Sequence, residues 1–306
     1  VEKEGQDNGT SPLRFFLVGT GNIPAHWAVL FLLSLIIYLV TVVGNILIVV
    51  LVVATQHLRS PMYFFLGNLS SLEIFYSSTI LPRLMANFLT GDRTISAHDC
   101  VAQFYFFAAF ATTECYLLAA MSYDRYLAIC QCLLYASLMT WKVCLQLVAG
   151  SWLLGLLIST VLTSLLPQLQ FCGCRTINHY FCDFTPLLEL ACSDTSMATL
   201  VAFIFGFLDV VFPFLFTLAS YMCIIAAILR IPSNISRQKA FSTCSSHLTI
   251  VTIFYGSLFA VYVLPRTAPL RQLSKVFSSF YTILTPLVNP LIYSLRNKEI
   301  REALRK

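Results

Sequence analysis

Seven long apolar segments dominate this chain of 306 residues and restrict it to very few folds. A helix of about twenty apolar residues spans the hydrocarbon core of a bilayer. Hydrophobic residues make up 58% of the chain and charged residues 11%, whereas an ordinary soluble domain carries about 25% charged residues. The sequence therefore predicts an all-α membrane protein, a bundle of seven transmembrane helices at about 25–53, 61–89, 97–129, 142–166, 196–230, 238–263 and 273–295.

The seven crossings divide the rest of the chain into tails and loops. We expect a polar amino-terminal tail at 1–24, a membrane domain at 25–295 with a long outer loop at 167–195, and a cytoplasmic tail at 296–306. The last tail is basic and is predicted to form a short amphipathic helix on the inner leaflet. Because the first tail is mostly polar, the first apolar segment is expected to act as the insertion signal.

The distribution of basic residues predicts that the amino terminus lies outside. With that orientation, 11 of the 19 Lys and Arg residues and three acidic residues fall on the cytoplasmic side, a balance of +8. The outer side holds eight basic and eight acidic residues. Positive charge favours the cytoplasmic side. Asn8, in the sequon Asn8-Gly9-Thr10, is then a candidate for glycosylation.

Three acidic residues lie within the predicted spans. An ionised carboxylate in the middle of a membrane costs a few kcal/mol, so we expect Glu73, Glu114 and Asp209 to face the interior of the bundle. Asp209 lies one helical turn before Pro213, which should kink the fifth helix because proline removes a backbone hydrogen bond. A bond from Asp209 to a neighbouring helix and a contact with a ligand are both open.

Five of the eleven cysteines fall in outer segments. Disulfides form in oxidising compartments, so we expect them here. Five cysteines leave at least one unpaired, and their order in the chain leaves the connectivity open. These residues are Cys100, Cys172, Cys174, Cys182 and Cys192.

Four motifs and the long outer loop carry a resemblance to a known family. The motifs read MSYDRYLAIC at 121–130, PMYFFLGNLS at 61–70, KAFSTCSSHL at 239–248 and PLVNPLIYSLRN at 286–297. They resemble the signature strings of the olfactory receptors, a family of rhodopsin-like G-protein-coupled receptors. The resemblance extends from Pro61 to Arg301 with the motifs in the family's order.

The resemblance implies a switch at the cytoplasmic end. Asp124 would restrain Arg125 at rest, and Arg125 would meet the G protein on activation. Cys132 stands where the family usually has proline, which leaves the shape of the second cytoplasmic loop open. The other residues implied in switching and coupling are Tyr126, Tyr221, His247, Asn289, Pro290 and Tyr293.

The resemblance also pairs cysteines and acidic residues. It implies the disulfides Cys100–Cys182 and Cys172–Cys192, with Cys174 left over. It brings Glu73 and Glu114 together beside Asn45 and Asn289. Two close carboxyls would share a proton or hold an allosteric Na⁺; a purely structural network is the alternative. No other cofactor is expected.

A small, mainly apolar cavity for a volatile odorant is implied in the outer half of the bundle. Helical spacing places the candidates of each helix on one face, although interhelical packing explains the same pattern. The candidates are Phe107, Ala108, Ala111, Thr112, Phe184, Leu188, Phe205, Gly206, Asp209, Tyr255, Leu258, Phe259 and Tyr262.

The function implied is that of an odorant receptor of the plasma membrane, which activates a stimulatory olfactory-type heterotrimeric G protein and raises cyclic AMP. No catalytic constellation gathers in an outer pocket, so the chain is not expected to be an enzyme. A rhodopsin-like receptor for another small ligand is the nearest alternative. A transporter is the alternative from a different class, but the inverted repeats typical of transporters are not visible.

Overall fold

The computed structural model describes residues 13–18, 27–172, 175–262, 277–278, 280–296, 300 and 302. Several predictions fall elsewhere. Asn8, Cys174 and most of the tail at 296–306 lie outside the described residues, and so does the side chain of Tyr262.

Ten α-helices, two of them short loop helices, are distinguished in the described part of the chain. They are α1 (Trp27–Ala54), α2 (Pro61–Thr90), α3 (Ala97–Cys130), α4 (Tyr135–Leu138), α5 (Trp141–Leu165), α6 (Phe184–Leu190), α7 (Ser196–Gly206), α8 (Phe212–Leu229), α9 (Asn234–Tyr262) and α10 (Thr285–Arg296).

Seven spanning segments follow from these helices. The first three are α1, α2 and α3, the fourth is α5, the fifth combines α7 with α8, the sixth is α9, and the seventh contains α10. Five of them are long and apolar enough to cross a membrane by length and composition alone. The other two are α2, which carries Asn68, Glu73 and Arg83, and the seventh segment, which is described only in part.

The central element of the bundle is α3. It contacts α2, α5, α8 and α9, and 67% of its most apolar window is buried, against 17% for α1. The apolar residues that α1 exposes, such as Leu32 and Val43, suit a surface that faces lipid. Polar side chains such as Glu114 and Asp124 are buried instead, because water is absent from the bilayer core.

A small three-stranded sheet covers one end of the bundle. Strand β1 (Arg14–Leu17) lies between β2 (Thr94–Ser96) and β3 (Thr176–Ile177), antiparallel to β2 and parallel to β3. Phe15 and Leu17 are buried while Arg14 and Phe16 are exposed, the alternation of a strand with one packed face. The disulfides Cys100–Cys182 and Cys172–Cys192 lie at the same end, which we call the disulfide end. The opposite end is called the Arg125 end.

The fifth segment changes its helical geometry at one point. Residues Phe207–Val211 form a π-helical turn, in which the N–H of Phe212 donates to the carbonyl of Phe207. The next donor would be Pro213, which has no N–H, so the carbonyl of Leu208 accepts a 3.1 Å hydrogen bond from the Tyr116 hydroxyl instead. The irregularity expected at Pro213 is therefore a π turn just before it, and α-helical spacing does not continue across this turn.

Two glycines of α5 have different surroundings. A Cβ on Gly155 would lie 2.2 Å from Oγ1 of Thr113 and 2.4 Å from the carbonyl of Ala109. Here α5 touches the backbone of α3, and only glycine permits such an approach. A Cβ on Gly150 would meet no atom within 4 Å, so open space lies beside α5 nearer the Arg125 end.

Candidate functional site

A buried polar pair joins α3 to the fifth segment. The hydroxyl of Thr112 donates to Oδ2 of Asp209 at 3.3 Å, and both residues are buried. Oδ1 of Asp209 has no hydrogen-bond partner among the described residues. Helical spacing put Phe205, Gly206 and Asp209 on one face, but Gly206 is exposed and Phe205 is half-buried. The π turn begins directly after Gly206. The side chain of Asp209 therefore does not point in the direction that the α-helical spacing of α7 predicts.

Aromatic side chains pack beside this pair. Phe214 of α8 lies between Tyr255 and Phe259 of α9, with ring centroids 5.2 and 4.8 Å apart. The Tyr255 hydroxyl donates to the Cys115 carbonyl at 3.2 Å, and Leu258 is buried nearby along α9. Phe214 was not predicted from the sequence. It lies five residues after Asp209, and residues at that spacing share a helix face only when a π turn lies between them.

The long loop lies on the disulfide end of α3. Cys182, tied to Cys100, donates its N–H to Oε1 of Gln103 at 3.0 Å. The ring of Phe181 packs against that of Phe107 in a tilted arrangement, with centroids 4.8 Å apart, and neither ring is more than 3% exposed. This contact was also missed, because the fold of a loop is not visible in its sequence pattern.

The helix α6 continues this cover. Its first residue, Phe184, lies 5.4 Å from Phe104, and the side chain of Asp183 caps the helix by accepting from the N–H of Phe184 at 2.8 Å. Leu188 of α6 and the α3 residues Ala108 and Ala111 are partly buried against the same core. Of the predicted ligand-binding residues whose side chains are described, only Gly206 is exposed.

A second polar group is buried deeper in the bundle. Asn289 donates its amide to Oε1 of Glu73. Asn45 donates to the carbonyls of Thr41 at 3.0 Å and Pro286 at 3.1 Å, which links the first and seventh segments. Glu114 is fully buried and interacts electrostatically with Glu73. These are the four residues that the family resemblance grouped together.

Several oxygens in this polar core lack donors. Among the described residues, no N–H or hydroxyl donates to Oε2 of Glu73, to either carboxyl oxygen of Glu114, or to the side-chain oxygens of Asn45 and Asn289. Buried carboxylates without compensation are costly, so the arrangement suits either a proton or a cation held by oxygen ligands. The described residues contain no cluster of three or more His, Cys, Asp or Glu side chains for a metal ion.

The Arg125 end contains an ion pair. Arg125 binds Oδ2 of Asp124 through Nη2 at 2.6 Å and Nε at 3.1 Å, and Asp124 is fully buried. The hydroxyl of Tyr135, in α4, donates to Oδ1 of Asp124 at 2.7 Å. Burial and this hydrogen bond raise the pKa of Tyr135 above its usual value. The sequence assigned no role to Tyr135, since its place depends on how the loop after α3 folds.

The remaining switch candidates lie on α3, α8, α9 and α10. The hydroxyl of Tyr221 and Nδ1 of His247 are 2.6 Å apart, which links α8 to α9. Tyr126 packs against the cluster that contains Tyr221. Tyr293 is buried, and its hydroxyl has no hydrogen-bond partner among the described residues. Pro290 lies against α1, where a Cβ on Gly44 would be 3.2 Å from the Cβ of Pro290.

A central third helix, an Arg–Asp pair at one end and a disulfide-linked loop over the other define the rhodopsin class of seven-helix membrane proteins. Squid rhodopsin has the same fold, with a TM-score of 0.72 and 18% identity over 93% of this chain and 86% of its own. The family model of the olfactory receptors matches residues 33–306, and the chain belongs to that family.

Individual relatives agree over nearly their full length. Human olfactory receptor 6B2 is 46% identical over 98% of this chain and 96% of its own. Human olfactory receptor OR9H1 is 48% identical over 98% and 97%, and mouse olfactory receptor 5AP2 is 44% identical over 98% and 94%. The family that the motifs resemble and the seven-helix fold predicted from the apolar segments are both confirmed, and the chain is a membrane receptor and not an enzyme.

Proposed function

We propose that this receptor binds small, mostly apolar odorants between α3, the fifth segment and α9, and then activates a stimulatory olfactory-type G protein that raises cyclic AMP. The observation that carries the proposal is the buried Thr112–Asp209 pair with its free Oδ1. It offers a polar anchor beside apolar and aromatic side chains, which is the usual composition of a small-molecule site. The free oxygen also favours a second candidate, a cationic odorant.

The size of an odorant limits its affinity. A ligand of about a dozen heavy atoms that gains roughly 0.5 kcal/mol per atom binds with about 6 kcal/mol, a dissociation constant of tens of micromolar. One hydrogen bond to Thr112 or Asp209 is then a large fraction of the total. Loss of a single polar contact should therefore be visible in a dose–response curve.

The orientation belongs to the same proposal. The positive balance at the Arg125 end supports a cytoplasmic position for that end in the plasma membrane. The amino terminus, with Asn8 as a glycosylation site, then lies outside. Asp124 and Tyr135 hold Arg125 at rest. Agonist binding favours a state in which α9 has moved and Arg125 is free to meet the G protein.

The polar core of Glu73 and Glu114 is proposed as an allosteric site for Na⁺ or a proton. Its buried oxygens without donors support this role. A bound charge would stabilise the arrangement with Asn289 on Glu73. It would disfavour any state in which the seventh segment has moved.

Two substitutions test the ligand site through cyclic AMP dose–response curves. Thr112→Val removes a hydroxyl and should weaken hydrogen-bonding odorants more than hydrocarbons. Ala111→Phe should fill the site and silence most agonists. Ala149→Phe, at an exposed position of α5, is the matched control and should leave potency and surface expression unchanged. Unaltered curves for both test variants across several agonists would place the odorant elsewhere.

A further inference from the structure

A cluster of arginines surrounds the small sheet at the disulfide end, apart from the sites discussed so far. Arg14 belongs to β1, Arg93 directly precedes β2, and Arg175 directly precedes β3. The carbonyl of Arg93 accepts a 3.0 Å hydrogen bond from the N–H of Leu17. The carbonyl of Arg175 accepts a 2.9 Å hydrogen bond from the N–H of Phe16. The sheet therefore brings together three arginines that lie far apart in the sequence.

The positive charge of this cluster is only partly balanced. A fourth arginine, Arg83 of α2, donates to the backbone of β2. The carboxylate of Asp92 interacts electrostatically with Arg83 and Arg14. Among the residues that the structure describes, no carboxylate forms an ion pair with Arg14, Arg93 or Arg175. The guanidinium groups of these three residues are therefore available to an anionic partner.

The outer face of the sheet also presents an aromatic ring. Phe16 is 48% exposed, whereas its neighbours Phe15 and Leu17 in β1 are buried. In the register of the sheet Phe16 lies opposite Thr94 of β2 and Thr176 of β3, and both threonines are partly exposed. Residues that lie opposite each other in a sheet share a face. This face thus has an aromatic ring in the middle and a hydroxyl group on each side of it.

These groups match the chemistry of a sulfated sugar. The C–H face of a sugar ring is apolar and packs on an aromatic ring, and the sugar hydroxyls bond to threonine hydroxyls. Sulfate groups, like phosphates, accept paired hydrogen bonds from the guanidinium fork. A lipid headgroup matches less well, because anionic lipids are concentrated in the cytoplasmic leaflet. An acidic peptide supplies carboxylates but no sugar ring for Phe16.

We propose that the outer face of the sheet binds sulfated polysaccharide chains, with a sugar ring on Phe16 and sulfate groups on Arg14 and Arg175. The proposed orientation of the receptor, on which this inference rests, puts the sheet outside the cell, where such chains are attached to cell surfaces. The three strands come from the amino-terminal tail and two different loops. A bound chain would therefore hold these segments together and stabilise the assembled sheet.

The test measures binding to the purified receptor in lipid nanodiscs, in which both ends of the bundle are accessible. A fluorescently labelled heparin oligosaccharide is titrated and its anisotropy recorded, and it should also raise the thermal denaturation midpoint. Arg14→Gln and Arg175→Gln each remove one charge, and Phe16→Leu removes the aromatic ring. Each substitution should weaken binding about fivefold, the effect of losing one exposed charge contact or a comparable packing contact.

The matched control is Arg230→Gln, the same substitution at an exposed arginine of the Arg125 end. That end is also basic, so the control separates the sheet from a general attraction between opposite charges. Arg230→Gln should bind the oligosaccharide as wild type does. Equal affinities of wild type and the Arg14→Gln, Arg175→Gln double variant overturn the proposal. Equal binding of polyglutamate or of the unsulfated oligosaccharide overturns it as well.

A second measurement separates the sheet site from the proposed orientation. The same probe is added to intact cells that express the receptor, so that it reaches only the outer side. Binding in nanodiscs without binding to cells would support the site and contradict the orientation. Absence of binding in nanodiscs would contradict the site whichever way the receptor is inserted. Neither readout requires an odorant or a G protein.

Discussion

The hydroxyl of Tyr135 donates a 2.7 Å hydrogen bond to Oδ1 of Asp124, the carboxylate whose other oxygen binds Arg125. The loop after α3 therefore takes part in holding the ion pair, and both oxygens of Asp124 are occupied. This loop is the one in which Cys132 stands where the resemblance led us to expect proline. The short helix α4 nevertheless forms and presents Tyr135 to the pair.

Tyr135→Phe should raise basal signalling. The change removes one hydrogen bond from the resting arrangement, and a loss of about 1 kcal/mol shifts a two-state equilibrium about fivefold. We expect higher cyclic AMP without agonist and a lower half-maximal agonist concentration. Tyr38→Phe, which removes the 3.1 Å contact of Tyr38 with Ser78 in another part of the bundle, is the control. Basal activity equal to wild type would show that Tyr135 does not restrain the switch.

Arg125→Ala should abolish agonist-stimulated cyclic AMP. The substitution removes the side chain that the proposal assigns to contact with the G protein, while Asp124 keeps its hydrogen bond from Tyr135. Surface expression, measured by flow cytometry, should stay near that of wild type. A well-expressed variant with normal signalling would contradict the proposed role of Arg125.

Cys100→Ser or Cys182→Ser should each prevent delivery to the cell surface. Each breaks the same disulfide between α3 and the long loop, and a disulfide contributes about 2–4 kcal/mol. The double variant should be no worse than either single one, because the partners act as a unit. Cys223→Ser, at an exposed free cysteine, should behave like wild type. Additive losses in surface staining would argue against a shared bridge.

Gly155→Ala should destabilise the receptor, and Gly150→Ala should not. The added methyl group at Gly155 would overlap Thr113 and the Ala109 backbone, with contacts of 2.2 and 2.4 Å. Such overpacking costs about 1–3 kcal/mol. At Gly150 the same methyl group meets open space, and alanine is the better helix former by about 0.5–1 kcal/mol. Thermal denaturation of the purified variants should therefore give opposite shifts; equal shifts would show that α5 is not fitted to α3 at Gly155.

Glu73→Gln and Glu114→Gln test the polar core. Each removes one buried carboxylate, and with it the charge that a sodium ion or a proton would balance. Basal cyclic AMP should change, and its response to replacement of sodium by potassium should be reduced. Ser77→Ala is the control, at a buried position of α2 whose hydroxyl, among the described residues, bonds only to its own helix. If both variants keep the basal level and the sodium and pH responses of wild type, the group is structural only.

The sequence predicted the elements that repeat a simple physical pattern. Apolar segments of membrane length predict spanning helices, and the observed bounds of α1, α2 and α3 agree with the predicted ranges to within a few residues. The sheet was not predicted. Arg14–Leu17 is four residues in a polar tail, and its partners lie far along the chain in two different loops, so no local signal marks it as a strand.

In the candidate site too, the residues that follow a local sequence pattern were predicted, and those that depend on tertiary contacts were not. Asp209 and Tyr255 were predicted from helical spacing, and both are buried. Gly206 was placed on the same face as Asp209 but is exposed, and Phe214 was missed. The reason is that Pro213 predicts an irregular helix but not the kind of irregularity. The π turn depends on a donor in another helix, the hydroxyl of Tyr116. Such a tertiary contact is absent from any pattern within the fifth segment.

The position of β1 between β2 and β3 determines when the sheet can be completed during synthesis. The ribosome makes Arg14–Leu17 first, the antiparallel partner Thr94–Ser96 only after two spanning helices, and the parallel partner Thr176–Ile177 only after four. Proteins are synthesised from the amino terminus and contacts between distant segments form late. The earliest strand of the chain is therefore among the last to be fully paired, and its pairing remains incomplete until more than half of the receptor has been synthesised.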